Sequence, residues 1–355
     1  MTVCNACRYC EGFCAVFPAM ERRLTFSDPD LKYLANLCHN CRGCYYACQY
    51  APPHEFALNV PKALGELRLE TWREFAWPRF FRGLFRHGGP TVWLAAAVPA
   101  AIVLLLVLVF QGPGALIHLQ AGRAGFYGVI PYKLMVVPFS GLGLLVLAAL
   151  LVEFARFWRE TGGRLAELAG PGALLPAIWD ALRLKYLDGG GHGCNYPDDR
   201  FSHNRRWLHH FVFYGFLLCF LSTTVAAILE HLLGRRAPYR FLSWPVVLGT
   251  MGGLSLLVGT GGLLYLKGKM DPRPAASGAS ELDVGFLVML FLTSLTGLLL
   301  LILRQTPVMG LLLAVHVGIV AGLFITLPYG KFVHAVYRFA ALARNAVERS
   351  REEDH

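Results

Sequence analysis

Eight cysteines in the first 48 residues constrain this chain more than any other feature. They form two runs of identical spacing, Cys4-x2-Cys7-x2-Cys10-x3-Cys14 and Cys38-x2-Cys41-x2-Cys44-x3-Cys48. Three thiolates so spaced wrap three corners of one cuboidal cluster, and the fourth turns away to ligate the other cluster. The pattern predicts two [4Fe–4S] clusters. Cys4, Cys7, Cys10 and Cys48 hold one, and Cys38, Cys41, Cys44 and Cys14 hold the other. Structural zinc fits poorly, because it asks for two ligand pairs around one tetrahedron. With no leader read ahead of Cys4, so many cysteines point to a reducing compartment, where cluster ligation prevails over disulfides.

One detail departs from the bacterial ferredoxin pattern, in which proline directly follows the fourth cysteine. Ala15 and Gln49 stand there, with Pro18 and Pro52 four positions beyond each cysteine. That touches the local turn and not the ligand set. His39 and His54 read as hydrogen-bonding or solvated neighbours. Cys219, inside an apolar stretch, reads as packing. Cys194, in Gly-His-Gly-Cys-Asn-Tyr-Pro, reads as structural, with a functional role left open.

The remainder is apolar. Hydrophobic residues make up 55% of the chain and charged ones 16%, with a mean hydropathy of +0.46. Six stretches, about 91–111, 132–154, 208–233, 242–266, 284–303 and 308–326, are long enough to cross a hydrocarbon core. The last is expected to continue as a kinked helix towards residue 341. With the head placed inside, 27 of the 33 Lys and Arg lie on the inner side. This bias predicts an inner-membrane, multi-pass protein with both termini and the cysteine head cytoplasmic. It also accounts for the net charge of +10 without nucleic acid, for which no basic helix or aromatic–basic repeat is present. Residues 71–86 and 174–187 mix aromatic, basic and apolar positions, as segments lying on the inner leaflet do.

Ionisable residues within spans usually mark function. Here they are histidines: His209, His210 and His231 on the third span, His316 and His334 on the sixth. His316 and His334 are 18 residues apart, five full turns and about 27 Å along one helix face. His209 and His231 share a face to within about 40°, and His210 is about 60° off. Antiparallel spans then match His209 with His334 near the inner side and His231 with His316 nearer the outer side. The expectation is one or two bis-histidine haem b sites, with Gly318 and Gly330 offering room for a porphyrin.

The runs CNACRYCEGFCAVFPAM (4–20), LCHNCRGCYYACQYAPPHEFALNVP (37–61), KYLDGGGHGCNYPDDRFSHNRRWLHH (185–210) and YGFLLCF (214–220) resemble the tricarballylate/citrate utilisation protein B family. The sixth span, with its histidine spacing, is similar to the ligand helix in the gamma subunit of respiratory nitrate reductase. The match on the third span is poorer. The family resemblance implies a partner, an FAD-dependent dehydrogenase of tricarballylate type, whose reduced flavin is reoxidised with membrane quinone as acceptor. No GxGxxG dinucleotide motif is present in this chain, in agreement with a separate flavoprotein.

The fold expected is mainly α: a small helical ferredoxin-type head with two [4Fe–4S] clusters and a six-helix transmembrane bundle of cytochrome b type. The divisions are 1–62 for the head, 63–90 for an interfacial linker, 91–341 for the membrane domain with its loop 156–206, and 342–355 for a polar tail. No residue is expected to act on an organic substrate. Rival readings are a quinol-linked disulfide reductase subunit, which lacks a reactive cysteine pair here, and a haem-free anchor for the head. A transporter is disfavoured by the absence of discontinuous helices and inverted repeats.

Overall fold

In the computed structural model, which describes residues 1–86, 88–118 and 122–353, short helices joined by cysteine-bearing turns form the head. Residue 87 of the expected linker and residues 354–355 of the expected tail lie outside the described residues. The head helices are α1 (Thr2–Cys7), α2 (Val16–Glu21), α3 (Asp28–Leu37), α4 (Gly43–Tyr46) and α5 (Val60–Phe75). A capping box starts α3: Ser27 Oγ accepts from the Asp30 amide while the Asp30 carboxylate accepts from the Ser27 amide. Both exchanges satisfy donors that a helix start leaves open. Asn59 caps α5 by accepting from the Lys62 amide at 3.2 Å. Phe17 and Met20 of α2, Tyr33 and Leu34 of α3, and Leu64 and Trp72 of α5 are buried in one core.

Six of the following helices are long and apolar enough to cross a membrane: α6 (Gly88–Gln111), α8 (Tyr132–Glu160), α10 (Asn204–His231), α11 (Trp244–Gly268), α12 (Ala279–Ile302) and α13 (Met309–Thr326). Between them lie the short α7 (Gly114–Ile117) and α9 (Pro171–Leu182), and α14 (Val333–Glu353) closes the chain. The fold is mainly α, a small helical head on a bundle of six long apolar helices.

Small residues let these helices approach closely, as apolar packing without a hydrophobic drive requires. A Cβ on Gly322 of α13 would stand 1.9 Å from the Ala95 carbonyl of α6, and one on Gly318 would stand 2.2 Å from Ala100 Cα. The space at Gly318 is therefore filled by α6, not reserved for a porphyrin. Between α10 and α11, Gly252 lies against Cys219, which accordingly packs between helices.

Three stretches differ from expectation. The sixth span does not run on to residue 341. It stops at Thr326, a turn follows, and α14 restarts at Val333. Leu327 keeps helical backbone (φ −53°, ψ −48°), but Pro328 has no amide to donate to the preceding turn, so the helix breaks where a kink was expected. Residues 342–353 are no free tail but the last half of α14, with Leu342, Ala343, Ala346 and Val347 buried against the head and α9. Its charged face is paired, Arg23 reaching Glu348 at 2.6 Å and Arg22 reaching Glu352 at 2.7 Å. Residues 71–75 continue α5, and Trp72, Phe75 and Ala76 are covered by protein, whereas Phe80 is exposed.

The 156–206 segment folds under the head. Its strands β1 (Cys194–Asn195) and β2 (Phe201–Ser202) pair antiparallel, and the Asn195 amide donates to the Cys41 carbonyl at 2.9 Å. Glycine is required at 190, where φ is +74° and a Cβ would stand 2.7 Å from the Gly12 carbonyl. The loop thus touches both cysteine runs.

Candidate functional site

The two cysteine runs fold alike. Arg8 and Arg42, each directly after the second cysteine of its run, take left-handed backbone with φ of 54° and 68°. Each costs roughly 1–2 kcal/mol relative to ordinary helical backbone, and the reversal turns the third cysteine back towards the first two. The fourth cysteines cross over. Cys48 lines one pocket with Cys4, Cys7 and Cys10, and Cys44 reaches its edge. Cys14 lies near Cys38 and Cys41, and Cys44 lies near the same two.

Burial pushes the Cys10 thiol up to about 12, with Cys48, Cys4 and Cys7 adding to the rise. Burial, with Cys194 adding, does the same to Cys41. Thiols so placed stay protonated at neutral pH unless a metal supplies positive charge. Among the described residues no three His, Cys, Asp or Glu side chains converge on a point as a single metal ion requires. Two wider sets of four thiols suit the corners of a multi-iron cluster better than one tetrahedron. The first set is partly exposed, whereas Cys38 and Cys41 of the second are buried.

Below the second set lies a cavity of about 160 Å³, open at its mouth. His39 and Asn40 of the cysteine loop form one wall, and His209 of α10 with His334 of α14 form another. The His209 and His334 rings face each other with centroids 6.2 Å apart and planes at 70°. An imidazole nitrogen sits about 2.0–2.1 Å from a ligated metal, so two imidazoles on opposite sides of one iron hold ring centres about 6 Å apart. His334 Nδ1 donates to the Lys331 carbonyl at 2.5 Å, which leaves Nε2 with a free lone pair. His209 Nδ1 is buried without a partner. Two imidazoles, one fixed and one with an unpartnered nitrogen, would suit a haem iron.

Three arginines tie this cavity to the cysteine loop. Arg68 donates to the Cys38 carbonyl, Arg338 donates to the same oxygen at 2.8 Å, and Arg205 donates to the Asn40 carbonyl at 2.6 Å. Burial, with Arg338 adding, pushes His39 well below the ordinary histidine range, and its Nδ1 bonds the Leu37 carbonyl at 2.8 Å. Cys194 is fully buried and bonds the Leu187 carbonyl at 3.3 Å, a packing role beside Cys41. None of these arginines was singled out from sequence. Arg205 lies in the quoted 185–210 run, a signal that could have found it.

The other histidines are placed apart. His210 stacks on Tyr214, with centroids 5.8 Å apart, outside the cavity lining. His231 lies 3.0 Å from Tyr132 Oη at the far end of α10. His316 Nδ1 lies 2.9 Å from Thr296 Oγ1, on the α12 side of α13. The structure brings His209 and His334 together and gives His231 and His316 separate partners.

Comparison with known proteins carries the same division into two parts. Residues 1–74 match the citrate utilization protein B Fer4-like domain, and residues 87–355 match citrate utilization protein B. The chain belongs to the citrate utilization protein B family. A relative from Escherichia coli, named citrate utilization protein B, is 50% identical over 355 residues, covering 99% of this chain and 91% of its own length. No solved structure matches significantly. The cysteine head is thus a Fer4-like iron–sulfur domain, and family membership covers both the head and the six apolar helices.

Proposed function

We propose that this chain carries electrons from reduced FAD on a tricarballylate/citrate-type dehydrogenase to membrane quinone. When bound, two [4Fe–4S] clusters and haem b supply one-electron carriers, which divide the flavin's two-electron chemistry into single steps. Cys4, Cys7, Cys10 and Cys48 hold the cluster nearer the surface, and Cys38, Cys41, Cys44 and Cys14 hold the buried one. His209 and His334 ligate the haem.

The observation that carries the reading is the shared cavity, whose wall includes both the Cys38–Cys41 loop and the histidine pair. Electrons enter at the partly exposed cysteine set, where Tyr9 and Phe56 stand out to solvent as contacts for the flavoprotein. On the bilayer side a groove lined by Val92, Trp93, Ser280, Glu281 and Val284 shares Ser280 with the cavity, which supports an acceptor arriving from lipid. The charge bias of the loops supports a cytoplasmic head in the inner membrane. A second haem between His231 and His316 has less support, since each has another neighbour.

Absorption spectra of purified membranes, before and after dithionite, test the haem part. A b-type α-band that is lost in His209→Ala and in His334→Ala is expected. Its absence from the unaltered protein overturns the haem assignment and leaves the iron–sulfur head as the sole carrier.

A further inference from the structure

The cavity beneath the second cysteine set carries far more positive than negative charge. Arg42, Arg68, Arg205, Lys267, Lys331 and Arg338 line it, and among the described residues Asp283 is the single carboxylate that does. Asp283 is already held by Lys267 at 2.7 Å and Lys331 at 2.6 Å. Arg42 is 1% exposed and Arg68 is 7% exposed, and Nε of both Arg42 and Arg338 is buried without a partner. An uncompensated buried charge costs several kcal/mol. Backbone carbonyls, which accept from Arg68, Arg205 and Arg338, carry no net charge to offset it. The thiolate-bound cluster compensates at one end of the cavity only.

Position selects where a second anion belongs. Lys331 precedes His334 by three residues, and its carbonyl fixes that ring. Arg338 follows His334 by four, one turn along the same face of α14. Arg68 meets Arg338 at the Cys38 carbonyl. All three cations line the cavity that His209 and His334 line. We infer that Arg68, Lys331 and Arg338 form a carboxylate cradle for the two propionates of the haem held by His209 and His334. The inference rests on the haem reading above. Guanidinium and ammonium groups bond carboxylates with charge-assisted hydrogen bonds, and a fixed pair of carboxylates sets which edge of the macrocycle faces the clusters.

The test uses the full-length protein, produced without haem and titrated in detergent with haem b or with its dimethyl ester, which keeps the iron and removes both propionate charges. The readouts are the bis-histidine α-band and the dissociation constant, with iron content checking that the head is intact. The unaltered protein is expected to bind the ester at least tenfold more weakly than haem b. Lys331→Gln and Arg338→Gln are each expected to weaken haem b by about tenfold and to leave the ester unchanged. Equal affinity for haem b and ester, or variants that weaken both alike, overturns the cradle. If neither compound yields an α-band, the haem reading itself has failed, which is a separate outcome.

Discussion

His209 and His334 face each other with ring centroids 6.2 Å apart, although three membrane helices lie between them in the chain. The helix that carries His334 does not continue from α13, so the pairing arises from the turn after Thr326 and from α14 docking on the head. The histidine pair and the cysteine head are therefore assembled by the same packing.

The crossed cysteine sets give a first prediction. Cys48→Ser should remove the cluster of Cys4, Cys7 and Cys10, and Cys14→Ser should remove the buried one. Each variant is expected to retain about half of the iron. Low-temperature EPR of the reduced proteins should show different surviving signals in the two. An identical surviving signal would argue against crossing.

The α14–head contact gives a second. Glu348 accepts from Arg23 at 2.6 Å, pairs with Arg344 at 3.2 Å and lies 3.3 Å from Tyr33 Oη. Its side chain is 11% exposed, so losing it leaves Arg23 with Asp30 alone and Arg344 with Glu167 alone. Glu348→Ala should cost about 1–2 kcal/mol, below the range for a buried charge left with no partner. Thermal unfolding in detergent measures it, and His334 ligation should weaken in the same variant.

Helix packing gives a third. Gly322→Val would drive a side chain into the Ala95 carbonyl, where no movement of a flexible group can relieve it. Loss of folded protein from the membrane fraction is expected. Gly143→Ala, with nothing within 4 Å of the added methyl group, should raise helix stability by about 1 kcal/mol or less and leave yield unchanged.

How much of this was legible in the sequence differs by feature. The cysteine runs carry their fold locally, because three-residue spacing and a turn after the second cysteine are short-range properties. The six apolar helices are equally plain, since each is decided by its own length and hydropathy. Depth matches His209 with His334, but a common face for His316 and His334 requires an unbroken helix, and Pro328 breaks it. The outer pair was matched by the same logic and the structure separates it. The cation cluster was not legible, because Arg68, Lys267, Lys331 and Arg338 come from three helices and a turn and meet only through tertiary packing. Residues 342–353 read as a polar tail because their ion-pair partners, Arg22 and Arg23, are more than 300 positions away.

A fourth prediction concerns pH. The Asp271 carboxylate accepts from Tyr46 Oη at 2.7 Å and from Arg273 Nε at 3.0 Å, tying the loop after α11 to the head. The Arg273 hydrogen bond, opposed by partial burial and aided by Tyr46, holds it down to about 2. An unfolded aspartate titrates near 3.9. With the folded value lower, the stabilisation is fully present above about pH 4 and is lost as pH falls towards 2. Asp271→Asn should therefore lower the unfolding temperature at pH 5–7, by an amount that corresponds to about 1–2 kcal/mol. The gap from the unaltered protein should narrow below pH 4. A gap that widens on acidification would contradict the assigned sign.

The proposed route takes electrons from a flavin through this head into the membrane. The direct measurement is anaerobic stopped-flow mixing of the purified protein with a substrate-reduced FAD-dependent dehydrogenase. Bleaching of the iron–sulfur absorbance, followed by the haem α-band and then its decay on adding a short-chain quinone, is the predicted sequence. A flavin that stays reduced while the cluster absorbance remains unchanged would contradict the account.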